Sequence, residues 1–248
     1  MHNVMKHART LVLAAMVAAP LFAAGCTATR GLRGTPEESG FLGNYSQLQH
    51  VDGYPAALVY IRPGVQWGRY NAIQLDSVTL WTDASTSGLS PEDQQMLTDT
   101  LYQSLYDDLS KYFTVVKQPG PNTIRLRVAL TQVQAAKPII RTVTTVVPQM
   151  RILGSIIGLA ADTATMVGSA TVEMEALDAA TNQRLAAAVD DRAGTKVLFA
   201  KRAYTTWGDV KAAFDYWSDR IAWQMARMGV QRLPGVPMPE EPKESRTI

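Results

Sequence analysis

Few side chains in this sequence have the types and spacing that reactions require. The 248 residues hold one cysteine, Cys26, and three histidines, His2, His7 and His50. A His/Cys zinc site, a Cys-His dyad or a disulfide each needs partners that so short an inventory does not supply. A Ser-His-Asp triad would have to use His50, which sits in a loop with tyrosine and glycine and reads as a solvated loop residue. Asp190 and Asp191 could do acid–base work, but neighbours on a strand face opposite ways, so paired action needs a third acid from elsewhere. Pairing of one of them with an arginine at a strand end is the plainer expectation. Arg125 and Arg127, two apart on a strand, could grip an acidic ligand, although they read first as a solvated face balanced by Glu173 and Glu175. No phosphate-binding glycine loop, EF-hand pattern or nucleophile elbow occurs. No catalytic role, metal or cofactor is therefore expected, with an acid- or serine-based hydrolase left open.

Cys26 has a more specific context. Lys6 and Arg9 precede an apolar run from Thr10 to Ala24, of the length of a signal-peptide core and too short to span a bilayer. Leu21-Phe22-Ala23-Ala24-Gly25-Cys26 resembles a bacterial lipobox, with Ala23 where leucine is commonest. The resemblance implies cleavage after residue 25, diacylglycerol and a further acyl chain such as palmitate on Cys26, and a lipid-anchored protein. Several chains on one residue anchor far more firmly than one, at about 0.8 kcal/mol per buried methylene. Thr27 stands where an aspartate would resemble an inner-membrane retention signal, so the expected location is the periplasmic side of the outer membrane.

Loss of the signal changes the charge balance. The full chain has 24 basic and 22 acidic residues. Lys6 and Arg9 leave with the signal and no acid does, so the mature chain is formally neutral. Nothing then favours nucleic acid, which selects concentrated basic surface.

The elements that must position these side chains follow from periodicity. Residues 26–40 read as lipidated cysteine and tether, about 40 Å long if extended, and residues 41–232 as one domain. Phe41, Leu42, Tyr45 and Leu48 suggest an apolar clasp against that domain. Ala57 to Ile61 and Ala72 to Trp81 read as strands, the second with a slip of register that predicts a bulge near Ser77. Ser90-Pro91-Glu92-Asp93 starts a helix to about Lys111, with Leu97, Leu101, Leu105 and Leu109 on one face. Phe113 to Val116 reads as a short strand. Asn122 to Val133 alternates, with Ile124, Leu126, Val128 and Leu130 inward and Arg125, Arg127 and Thr131 outward. Thr171 to Leu177 and Arg184 to Asp190 make an antiparallel hairpin, turning where Asn182 can be left-handed, with Val172, Met174, Leu185, Ala187 and Val189 inward. Trp207 to Met228 is a second helix stopped by Gly229, with Trp207 and Trp217 on its buried stripe. Residues 233–248, with four prolines among charges, read as a disordered tail. Two one-faced helices and a one-faced sheet pack in two layers, so the fold class is an α+β sandwich with a mainly antiparallel sheet.

One stretch does not fit this scheme. Residues 138–161 hold Ile140, Val143, Val146, Val147, Ile152 and Ile156, with Arg141 and Arg151 as the only charges. They read either as a connection buried over one end of the sheet or as a surface for a partner or the membrane. Pro148 and the two arginines argue against a continuous spanning helix.

Ser39-Gly40-Phe41-Leu42, Leu89-Ser90-Pro91, Leu126-Arg127-Val128-Ala129-Leu130-Thr131, Thr144-Thr145-Val146-Val147-Pro148, Val189-Asp190-Asp191-Arg192-Ala193-Gly194 and Trp207-Gly208-Asp209-Val210 together resemble a proteobacterial lipoprotein family. Its shared domain is known as domain of unknown function 3313. The resemblance covers nearly all of the mature chain and implies a cell-envelope lipoprotein without an activity. The expected role is a non-catalytic adaptor or scaffold for an envelope protein. The alternatives are a carrier or sensor of a lipid or other apolar ligand, or a channel-forming subunit that inserts residues 138–161. Arg125, Arg127 and the six apolar residues named above are the candidate partner or ligand surface.

Overall fold

The computed structural model describes residues 29–31, 36–52, 54–81, 89–134, 168–194 and 207–243. Its strands are β1 (Thr29–Gly31), β2 (Leu58–Ile61), β3 (Ala72–Leu75), β4 (Thr79–Leu80), β5 (Thr123–Gln134), β6 (Ser169–Asp178) and β7 (Arg184–Gly194). Among the described residues two α-helices accompany them, α1 (Pro91–Tyr112) and α2 (Gly208–Met228). The sheet runs β1-β7-β6-β5-β3, with β2 also on β7 and β4 also on β5. All pairings are antiparallel except those of β3 and β4 with β5. This is the expected α+β sandwich, with both helices against one face of the sheet.

Local chemistry accounts for the element ends. The Ser90 hydroxyl accepts from the Asp93 amide and Pro91 opens α1, so two donors that would otherwise lack partners are dealt with at once. The four leucines at Leu97, Leu101, Leu105 and Leu109 are fully buried. Each such side chain contributes about 2 kcal/mol of transfer free energy. α2 stops at Gly229, whose φ of 99° suits glycine alone among the unstrained choices. The β6–β7 turn places Asn182 at φ 55°.

The expected bulge splits one strand into two. Four steps from Leu75 to Thr79 are matched by three on β5, from Leu126 to Ala129. The extra residue moves Val78 inward after Leu75, and both are buried. The short strand expected at Phe113 to Val116 is reduced to one bridge between Val115 and Ile73.

The face of the sheet away from the helices differs from the expectation of a wet surface. Phe41, Leu42, Tyr45 and Leu48 fold across it and bury Ala129, Ala187 and Val189 beneath them. Glu173 and Glu175 are 0% and 4% exposed as a result. Alternation identifies which side chains share a face but not whether another stretch returns to cover it. The same alternation assigns Ala187 and Val189 to the helix side, whereas they belong to the clasp side.

The first and last described stretches are also held. Thr29–Gly31, read from sequence as part of a tether, pairs with β7. After Gly229 the chain has neither helix nor strand through Lys243, yet the Leu233 amide donates to the Tyr112 carbonyl, Pro239 is buried and Glu241 pairs with Arg220.

Candidate functional site

On the helix side, β7 turns Ala186 and Ala188 toward α2, as the pairing of Ala188 with Val59 and Met174 indicates. Small residues there cannot fill the gap under a helix propped up by Tyr216 and Trp217. An apolar cleft of about 100 Å³ results, floored by Ala176, Ala186 and Ala188 and walled by Met174, Ile221 and Met225. Val59 and Ile61 of β2 border it, and Ile61 is 37% exposed, so that side reaches solvent. Half-buried Tyr54, Arg220 and Gln224 bring polar groups to its outer rim.

Arg220 is the most heavily engaged of these. Nη1 donates to Glu241 Oε1 at 3.0 Å and Nη2 to the Pro242 carbonyl at 2.8 Å. The guanidinium lies 5.4 Å from the Tyr216 ring and 5.1 Å from the Trp223 ring. Its Nε is buried and has no hydrogen-bond partner among the described residues. Burial pushes the Tyr54 hydroxyl above the usual phenol range, against the opposing pull of Arg220 and Arg227.

The inner end of the cleft is a buried charge network. Arg192 Nε and Trp217 Nε1 each donate to Asp190 Oδ2 at 2.8 Å. Arg192 is 0% exposed and stacks 3.4 Å above the Tyr216 ring. Burial raises the Asp190 pKa, while Arg192 and Trp217 favour its ionised form. The expected strand-end arginine pairing is therefore present, but in the core and not at the surface. Asp191 is only partly buried, and desolvation raises its pKa too, against a hydrogen bond from Thr171.

On the clasp side, Arg125 and Arg127 share a face as expected and line an open polar depression with Asn44, Gln47, Asn182 and Arg184. Each is matched to a carboxylate. Arg125 holds Asp76 through Nε and Nη2, at 2.9 and 2.7 Å, and this hydrogen bonding raises its pKa further. Arg127 bonds Glu175 and lies 4.8 Å over the Phe41 ring. Arg184 also bonds Glu175, at 2.9 Å, and donates to the Leu42 and Asn44 carbonyls. Arg127 and Arg184 thus fasten the clasp to the sheet, while Arg125 ties β5 to the turn between β3 and β4.

Two clusters had no signal in the sequence. Tyr70 donates to Asp178 at 2.8 Å, and burial together with that bond lifts its hydroxyl pKa to about 12. Burial works against ionised Asp178, but bonds from Tyr70, Thr181 and Ala180 prevail and hold it below the usual carboxylate range. At the helix–helix junction Asp219 of α2 meets Asp108 of α1, which Lys111 also contacts. Desolvation and the Asp108 charge push Asp219 up to about 6. Both clusters join elements distant in sequence, which periodicity does not report.

Cys26 and the apolar candidates Ile140, Val143, Val146, Val147, Ile152 and Ile156 lie outside the described residues. His50 is exposed and faces Asp52 at 3.3 Å. Among the described residues no group of three His, Cys, Asp or Glu could hold a metal ion, and no helix is long and apolar enough to cross a membrane.

Similar solved structures include a dodecamer of a PelC point variant from Paraburkholderia phytofirmans, at 11% identity and TM-score 0.34, covering 63% of this chain and 90% of that one. A PelC dodecamer from the same organism has 10% identity and TM-score 0.35, covering 71% and 98%. Protein XCC0632 from Xanthomonas campestris, of family DUF330, has 10% identity and TM-score 0.38, covering 67% and 92%. No curated protein matches. A family model does, over residues 37–221, which takes in the clasp, the sheet from β2 to β7, α1 and most of α2. The chain belongs to the family described as "Protein of unknown function (DUF3313)".

Proposed function

We propose that this is a non-catalytic lipoprotein of the cell envelope, held by acyl chains on Cys26 at the periplasmic face of the outer membrane, that binds an apolar chain between α2 and β7. The observation that supports this is the cleft over Ala186 and Ala188. Protein interiors are packed to crystal density, and unfilled space forfeits the contacts its lining could make. A closed apolar cavity of about 150 Å³ is enough to admit benzene. A cleft of about 100 Å³ with one side toward solvent suits the end of an acyl or other hydrocarbon chain whose remainder lies outside. The adaptor reading rests on residues 138–161, which lie outside the described residues, and on Arg125 and Arg127, which bond Asp76 and Glu175.

The test is titration of the purified protein with dodecanol, followed by the change in tryptophan fluorescence, since Trp217 borders the cleft. Saturable binding is expected in the wild type and loss of it in Ala188→Leu, whose side chain fills the floor. Equal binding by a folded Ala188→Leu variant would refute the assignment.

A further inference from the structure

Resting on the apolar-cleft reading, we infer that the ligand is an amphiphile ending in an anionic carboxylate or phosphate, read by Arg220, and that Glu241 of the C-terminal tail occupies that arginine until the ligand arrives. Arg220 lines the cleft and lies at its half-buried rim, so a head group emerging with the chain meets its guanidinium. Stacking against Tyr216 and Trp223 fixes the plane of the fork, and a planar fork held in place matches two oxygens of a carboxylate or phosphate. The unsatisfied Nε is a buried donor in need of an acceptor, a cost that a ligand oxygen would remove.

The tail already presents the same chemistry. Glu241 Oε1 and the Pro242 carbonyl take Nη1 and Nη2, as two oxygens of a bound head group would. Glu241 is 60% exposed on its side chain, so this contact is weak and readily exchanged. Arg227, 5.0 Å from the other ring contact of Arg220, the Trp223 indole, adds a second positive charge nearby. A cationic head group would be repelled by both arginines, and a neutral one would offer the Arg220 Nε only an acceptor without the charge assistance of an anion.

The experiment compares dodecanoate, dodecyl phosphate, dodecanol and dodecyltrimethylammonium on the full mature protein, below their micelle-forming concentrations, by isothermal titration. Dodecanoate or dodecyl phosphate should bind about ten- to a hundredfold more tightly than dodecanol, the stronger of the two indicating the head-group class. Arg220→Gln should remove that advantage, so that the variant binds dodecanoate and dodecyl phosphate no more tightly than it binds dodecanol. Glu241→Gln should strengthen anionic binding about two- to fivefold without affecting dodecanol. Equal affinity for dodecanoate, dodecyl phosphate and dodecanol in the wild type, or an Arg220→Gln variant that keeps the anionic preference, would overturn the head-group assignment while leaving the cleft intact. Absence of binding by all four would instead overturn the cleft reading itself.

Discussion

Removing the Asp190 carboxylate should be far more damaging alone than together with Arg192. Asp190→Leu takes away the carboxylate that a fully buried Arg192 contacts at 2.8 Å and deprives the Trp217 indole N–H of its acceptor. Breaking a buried pair from one side typically costs about 3–5 kcal/mol, a large part of the roughly 5–15 kcal/mol by which a domain is stable. Replacing both, as Asp190→Leu with Arg192→Met, removes the stranded cation. What remains is the unsatisfied Trp217 N–H, at about 1–3 kcal/mol, offset in part by apolar packing against Tyr216. The double variant should therefore unfold within about 2 kcal/mol of the wild type, and, with each single variant costing about 3–5 kcal/mol, the interaction energy of the cycle should reach about 4 kcal/mol or more. Urea unfolding followed by tryptophan fluorescence measures all four corners. If the two single costs simply add in the double variant, the pair is not the coupled unit its geometry implies, and Arg192 draws its stability from other contacts.

Two further outcomes follow from groups outside the cleft. Tyr45→Phe removes the 2.5 Å bond to the buried Glu173 carboxylate and should cost about 2 kcal/mol, with faster amide exchange at Gly40 and Leu42, whose N–H groups bond the lost oxygen. Unchanged exchange there would mean that apolar contact alone holds the clasp. Asp219 has a folded-state pKa of about 6, above its unfolded value of about 3.9. The native state therefore takes up the proton first, so stability should rise as pH falls from about 7 toward about 4 and be lost as pH rises through about 6. Because Asp219 is largely exposed, the gain should be no more than about 1 kcal/mol. Asp219→Asn should flatten this part of the pH profile, and a profile left unchanged by the substitution would place the titration elsewhere.

What the sequence made legible was whatever depends on spacing along one element. The Ser90 cap, the four-leucine face, the slip at Ser77 and the left-handed Asn182 all appear where periodicity and turn chemistry put them. Even the clasp could be read, because Phe41, Leu42, Tyr45 and Leu48 recur at a spacing that needs an apolar surface to rest on. The target of that clasp could not. Glu173 and Glu175 look like solvent-facing residues from their own strand, and only a stretch far away in the chain buries them, with Tyr45 bonding Glu173 across 128 positions. The cleft was hidden for a related reason. Ala186 and Ala188 are ordinary in sequence, and the space above them exists only because α2 crosses there on larger side chains. Arg220 likewise gains its role from Tyr216, Trp223 and Glu241 together, three residues whose meeting depends on how the tail returns along the helix.

The pairing of β1 with β7 bears on how the protein would stand on a surface. With the lipid on Cys26 that we propose, only Thr27 and Ala28 separate the anchor from the sheet, a span of about 10 Å when extended. The protein would then sit against the bilayer with a set orientation, not swing on a leash of about 40 Å. Arg30 pairs with Ala193, Ala193 with Ser169 and Ser169 with Gln134, so these four lie in one row across the sheet. With that anchor, the row would be the end nearest the membrane and the β6–β7 turn at Asn182 the far end. Gln134 and Ser169 both stand in it, so the two described strand ends that flank the apolar stretch in sequence would both lie on the lipid side.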